Sequence, residues 1–284
     1  MKFSAKLCLL IALTAIGVSA EGQANDPVKV FRDTRVINSH SVEMQPRGTM
    51  KFIISHRFGA INSGAQELWG LDNSRIRLGL DYAPTHALNI GIGRSSNQKN
   101  FDFFLKYRLM QQNAVQPLSI VFFTEASLLT SEGLTEGLDF VNKLSYTYQL
   151  LIARKVFDRL SIQLMPTLLH RNFVTDQVSD NDIYSIGIAT RYQINKVWAL
   201  NVEYFYTLPD QLGPDPLGEE RRNSIGVGVE IETKGHIFQI NLTNSRDFVA
   251  PFYIGDTTGD FFGGDIHLGF NITRDFKISH RKYN

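Results

Sequence analysis

Apolar and polar side chains alternate one by one through most of this chain. Between Thr49 and Thr273, about a dozen stretches keep a period of two, and no apolar run of helical length interrupts them. In Arg75-Ile76-Arg77-Leu78-Gly79-Leu80-Asp81-Tyr82, the residues Ile76, Leu78, Leu80 and Tyr82 share one face of an extended strand, while Arg75, Arg77, Gly79 and Asp81 share the other. Residues 88–92, 144–150, 225–231 and 266–272 repeat the beat. The pattern predicts twelve strands, near residues 49–58, 74–82, 87–94, 101–110, 117–127, 140–154, 160–170, 182–194, 197–208, 223–233, 236–243 and 265–274. Long connections (59–73, 128–139, 171–181, 209–222, 244–264) alternate with short turns (83–86, 155–159, 195–196, 234–235), and 95–100 and 111–116 fall between. That layout belongs to an all-β fold, a transmembrane antiparallel up-and-down β-barrel with both termini periplasmic.

Three features put the apolar face outside. A barrel of about twelve strands with an apolar interior would enclose a dry void, so a two-layer secreted β-protein is the weaker alternative. Gly79, Gly91, Gly93, Gly187, Gly226 and Gly228 all lie on the polar face, where a water-exposed strand gains nothing from them and a lumen gains space. With strand directions alternating, Tyr82, Tyr107, Tyr192 and Trp198 mark one end, and Phe58, Phe101, Tyr184 and Tyr206 the other, as two interfacial girdles would.

At the amino terminus, Lys2 and Lys6 precede an apolar stretch from Leu7 to Val18 and the small residues Val18-Ser19-Ala20, the three zones of a secretory leader. Residues 1–20 are therefore expected to be a signal peptide, and its removal takes Cys8, the chain's one cysteine, with it. Subtracting the two leader lysines from the whole-chain net charge of +1 leaves −1, which offers nucleic acid no electrostatic footing. The slightly negative mean hydropathy suits strands that alternate between lipid and lumen.

The stretches 50–59, 70–82, 89–96 and 106–109, with Gly264-Asp265-Ile266 and residues 269–274 near the end, resemble a β-barrel family of Bacteroidota-type outer membranes known only as a domain of unknown function. The resemblance implies an outer-membrane location in a Gram-negative bacterium, outer-membrane lipid as surroundings and the barrel-assembly machinery as a partner during insertion. It implies no reaction. The organisation expected is a leader (1–20), a periplasmic segment (21–48) that either hangs free or enters the lumen as a plug, a barrel (49–276) and a tail (277–284). Residues 35–37 are the one short strand candidate in the segment. Such barrels commonly end on an aromatic residue; here Phe276 is followed by eight more residues, so Phe276 is the expected insertion signal.

The inward register gathers candidate selectivity residues: Arg57, Arg75, Arg77, Lys106 and Arg108 on the early strands, facing Glu125, Glu203 and Glu230. Opposed charge rows of this kind either select a small charged solute or neutralise one another and close the lumen. The longest loop carries Phe248, Phe252, Tyr253, Phe261 and Phe262, expected to fold inward as a constriction. Asp256, Asp260 and Asp265 lack the spacing of a calcium loop and read as solvated acids. No metal, cofactor or catalytic motif is expected. The weakest reading is a surface hydrolase using Ser55 and His267 with Asp265 or Glu125. The leading reading is a narrow passive channel for a small hydrophilic solute, and the alternative is a non-conducting barrel that docks a periplasmic or surface partner.

Overall fold

Twelve strands close into one antiparallel barrel in which each strand pairs with its sequence neighbours and β1 pairs with β12. The computed structural model describes residues 26–174, 179–215, 217–233 and 235–278. The expected leader and most of the expected tail lie outside these residues. The strands are β1 (Thr49–Ala60), β2 (Ser74–Tyr82), β3 (Leu88–Ser95), β4 (Phe101–Met110), β5 (Ser119–Leu128), β6 (Leu144–Phe157), β7 (Leu160–Arg171), β8 (Asp182–Gln193), β9 (Trp198–Thr207), β10 (Ile225–Thr233), β11 (His236–Thr243) and β12 (His267–Lys277).

All twelve periodic stretches are strands, and the differences sit at their ends. β6 begins at Leu144 rather than near 140 because residues 141–143 form a 3-10 turn. β12 starts at His267, since Asp265 accepts a hydrogen bond from the Asp260 backbone and holds that stretch in a loop. It also runs one residue beyond the expected barrel end, pairing Lys277 with Thr49. The long loops gather at one end. The short turns and both ends of the described chain gather at the other, where Gly48 and Ile278 are bonded backbone to backbone.

The period-two pattern becomes two surfaces. Ile76, Leu78 and Leu80 are 38%, 46% and 43% exposed on the exterior, while Arg77 and Asp81 between them are buried inside. Tyr82, Tyr107, Tyr192 and Trp198 are exposed near the short-turn end, and Tyr184 and Tyr206 near the long-loop end. An exterior this apolar is at home in hydrocarbon, not water. Leu78→Arg is therefore expected to lower stability in liposomes by about 2–4 kcal/mol. Urea titration followed by the loss of the compact gel band measures it, and an unchanged midpoint would place that face in water.

The interior is not an empty polar channel. Val121, Phe123, Leu151, Ala153, Met165, Ala189 and Phe205 point inward from β5–β9 and are nearly inaccessible, so the apolar void argued against from strand number is instead filled. The filling comes from this chain. Val30, Phe31, Val36, Ile37 and Val42 of the amino-terminal segment, and Ala250, Tyr253 and Ile254 of the longest loop, complete one apolar cluster with the wall. The inward glycines make room for neighbours rather than for solvent. A Cβ on Gly93 would lie 2.2 Å from Arg77 Nη2, one on Gly91 2.0 Å from the Phe104 ring, and one on Gly187 2.4 Å from the Phe205 ring.

Candidate functional site

Residues 34–41 fold back as a tight hairpin inside the barrel. The Val36 amide donates to the Ser39 carbonyl at 2.9 Å and the Ser41 amide to the Thr34 carbonyl at 3.0 Å. The strand suggested for residues 35–37 is only a single bridge, Arg35 to His40. Its hydrogen bonds are used locally or given to the wall.

The hairpin tip meets Glu203 of β9. That carboxylate accepts from the amides of Ile37 (3.2 Å), Asn38 (2.8 Å) and Ser39 (3.1 Å) and from Ser39 Oγ (2.8 Å). From the opposite wall, Arg57 Nη2 donates to Asn38 Oδ1 at 2.8 Å, and Asn271 Nδ2 donates to the Ile37 carbonyl at 2.9 Å. Lys106 Nζ donates to the carbonyls of Ser41 (2.7 Å) and Glu43 (2.6 Å). Gln163 grips the returning arm at both ends of its amide: Oε1 accepts from the Val42 amide at 2.8 Å and Nε2 donates to the His40 carbonyl at 2.7 Å. Asp33 pairs with Lys51 and accepts from Thr273 Oγ1 at 2.8 Å. Wall side chains therefore satisfy an irregular backbone that neither sheet nor water reaches, which is what a buried segment requires.

His40 sits between the rings of Phe104 and Phe123, at 4.5 and 4.3 Å between centroids. Arg35 Nη1 lies 2.7 Å from His40 Nδ1, and because a guanidinium only donates, that nitrogen accepts and carries no proton. Arg35 also lies 3.4 Å from Asp81.

Of the predicted selectivity residues, Arg57, Arg77, Lys106, Glu125, Glu203 and Glu230 are all buried and inward. The charge rows do not face each other across open space. Arg77 of β2 reaches across β3 to pair with Asp102 of β4, and Arg191 pairs with Glu230 at 2.9 Å. Glu125 accepts from the Ala250 amide at 3.2 Å, below the loop helix. Arg75 stands higher, bonded to Asp247, and Arg108 falls at the short-turn rim, donating to the His86 carbonyl at 3.2 Å. Asp33, Arg35, Lys51, Asp81, Asp102 and Arg191 complete these networks and were missed. Asp81, Asp102 and Lys51 were detectable, because they share the inward parity of Arg77, Lys106 and Arg57 on their strands.

From the long-loop end, the helix Ala250–Gly255 descends onto the hairpin. Phe248, Phe252 and Tyr253 are buried there, Tyr253 edge-on to Phe205 at 5.3 Å between centroids. Phe261 and Phe262 do not join them. Asp260 Oδ1 accepts from the amides of Phe262 and Gly263, fixing a turn that leaves Phe262 90% exposed, with Phe261 packed edge-on against its ring. The hydrolase arrangement is also not formed. Ser55 pairs with Asn271, four residues along β12 from His267, so roughly 13 Å of strand separates them. His267 Nδ1 is 3.1 Å from the Phe58 carbonyl, and Asp265 is held by Asn62 and its own loop. Asp256 binds arginines instead of grouping with Asp260 and Asp265.

Above the helix lies a cavity of about 730 Å³, open at the long-loop end and lined among others by Arg75, Asn97, Asn142, Arg171, Arg221, Asp247, Phe252 and Asp256. Arg75 Nη1 reaches both oxygens of Asp247 (3.1 and 3.0 Å), and Asn97 Nδ2 reaches one of them at 2.6 Å. Asp256 Oδ1 is shared by Arg171 (3.0 Å) and Arg221 (3.3 Å). Burial pushes both aspartates above the ordinary carboxylate range, against the pull of these guanidiniums.

Several solved structures share the barrel. A KdgM porin is 10% identical, with 80% of this chain and 99% of that one aligned at a TM-score of 0.48. The COG4313 outer membrane channel from Pseudomonas putida F1 is 13% identical over 83% and 98%, at 0.45. The outer membrane protein Omp33 of Acinetobacter baumannii is 7% identical over 80% and 98%, at 0.43. At these identities the likeness extends no further than the fold. No curated protein matches the chain in sequence. Its family is nevertheless plain, because one sequence profile matches residues 31–276, from the inserted hairpin through β12: the chain belongs to the membrane bound beta barrel domain family (DUF5777).

Proposed function

We propose that this protein is an outer-membrane barrel with a narrow solute passage that its own amino-terminal hairpin holds closed, the short-turn end facing the periplasm. Passage is passive and carries a small hydrophilic or charged solute when the hairpin withdraws. The polar seat of the hairpin supports this reading. Lys51, Arg57, Lys106 and Glu203 spend their charge on hairpin groups, so its departure leaves a charged lumen ready to be hydrated. No catalytic role is proposed.

A second reading, a non-conducting barrel that serves a partner at either end, draws support from the apolar half of the wall. Exposing Phe31, Ile37, Phe123 or Phe205 to water costs about 1.5–3 kcal/mol for each large side chain. A reversible lock separates the two. A Cβ on Gly226 would lie 3.3 Å from Ile37 Cγ2, so Ile37→Cys with Gly226→Cys is placed to form a disulfide between hairpin and wall. Under the gated reading, the reduced double variant gives conductance steps in a planar bilayer, oxidation abolishes them and reductant restores them. Inserted protein that stays silent in both redox states favours the partner-docking barrel.

A further inference from the structure

The cavity above the loop helix is a built site whether or not the lumen conducts. We infer that it binds a short oligosaccharide, a polyhydroxylated solute with apolar ring faces. Three observations lead there. Its size, about 730 Å³, falls within the roughly 300–1,000 Å³ of small-molecule sites. Two of its carboxylates hold three of its guanidiniums, Arg75 on Asp247 and both Arg171 and Arg221 on Asp256. Such walls present donors and acceptors side by side at fixed positions. Over the whole lining Arg75, Arg171, Arg221 and Arg246 meet Asp215, Glu219, Asp247, Asp256 and Asp265, so a simple inorganic ion gains little, whereas a hydroxyl, which donates and accepts at once, can join either partner of a pair.

The third observation is apolar surface in the same space. Phe252 and Pro251 form the floor, and at the rim Phe173 and Leu217 are 43% and 86% exposed while lining the cavity. Fixed polar pairs beside flat apolar side chains match the two kinds of surface on a sugar ring, the hydroxyl edge and the carbon face. A lipid tail would take water from these polar walls and offer them no donor or acceptor in return. Both neutral and carboxylated sugars carry this chemistry, and Asn97 and Asn142 on the walls suit the hydroxyls of either.

The test is isothermal titration calorimetry on the full-length barrel folded in detergent micelles, with maltotriose, trigalacturonic acid and tri-N-acetylchitotriose as probes. Saturable binding of at least one is expected, and which one binds tells a neutral from an acidic or acetylated preference. The paired change Arg75→Gln with Asp247→Asn, which keeps hydrogen bonding while removing charge, is expected to weaken binding at least tenfold, as is Phe173→Ser at the exposed rim. Lys155→Gln, at the opposite end of the barrel, should leave it unchanged. Each variant is first checked for the compact gel band of a closed barrel. No saturation with any probe at millimolar concentration overturns the proposal, and so does binding that survives both wall variants. Because the site is complete with the hairpin in place, silent bilayers leave it standing.

Discussion

Replacing Glu203 with alanine is expected to release the hairpin. One carboxylate satisfies the amides of Ile37, Asn38 and Ser39 and the hydroxyl of Ser39, all buried. Without it three buried N–H groups lose the acceptor they share, and the Arg57 charge across the lumen loses its balancing anion. Breaking one partner of such an arrangement costs about 3–5 kcal/mol. Because every 1.4 kcal/mol is a factor of ten, the population with the hairpin out should rise about a hundred- to a few-thousand-fold. Proteolysis of folded barrels in liposomes reads this directly, as new cleavage within residues 33–45 while the strands stay protected. Glu203→Gln keeps one accepting oxygen and should fall between. A Glu203→Ala barrel as resistant as the wild type would mean that the hairpin is held without this carboxylate, by its apolar contacts and its bonds to Arg57, Lys106, Gln163 and Asn271.

The second large effect concerns Arg77. It is buried against an equally buried Asp102, and the two meet across β3, which lies between their strands in the same wall. Asp102→Ala leaves the guanidinium without its bidentate partner, and a loss of about 3–5 kcal/mol is expected in urea titration of the liposome-folded barrel. Replacing both, Arg77→Met with Asp102→Leu, should recover most of that loss, since a buried pair exchanged for apolar residues of similar size is often nearly neutral. The double-mutant cycle isolates the coupling. An Asp102→Ala variant that unfolds with the wild type would show that water or another carboxylate already serves Arg77.

The strands were legible because period two is enforced twice, by the exterior band and by the interior contacts, so a slip of one residue would invert every side chain. Ile76-Arg77-Leu78 announces its two faces without help from the rest of the chain. The interior was half legible. Arg57, Arg77, Lys106 and Glu203 could be placed by parity, yet their partners could not. Asn38 lies 19 residues before Arg57 and Glu203 lies 165 residues beyond Asn38, distances over which one sequence carries no pairing signal. The apolar half of the wall was harder still. In β5, Val121 and Phe123 point inward while Ile120 and Phe122 point outward, so alternation fades there and a strand apolar on both faces gives no hint of what covers the inner one. The polar-face glycines were rightly read as room, but their occupants, Arg77, Phe104 and Phe205, needed coordinates. Phe261 and Phe262 shared a composition with Phe248 and Phe252, and only the turn at Asp260 sends them elsewhere.

A cylindrical sheet has one join where its first strand meets its last, and here the hairpin is fastened across it. Asp33 holds Lys51 of β1 and Thr273 of β12, and the tip repeats the fastening through Arg57 on one side and Asn271 on the other. The stretch of chain that precedes the first strand thus rivets that strand to the final one from within. During assembly, the join can reach full strength only after the leading residues have been drawn inside. In the finished molecule, any sideways parting of β1 from β12 must first tear out these rivets.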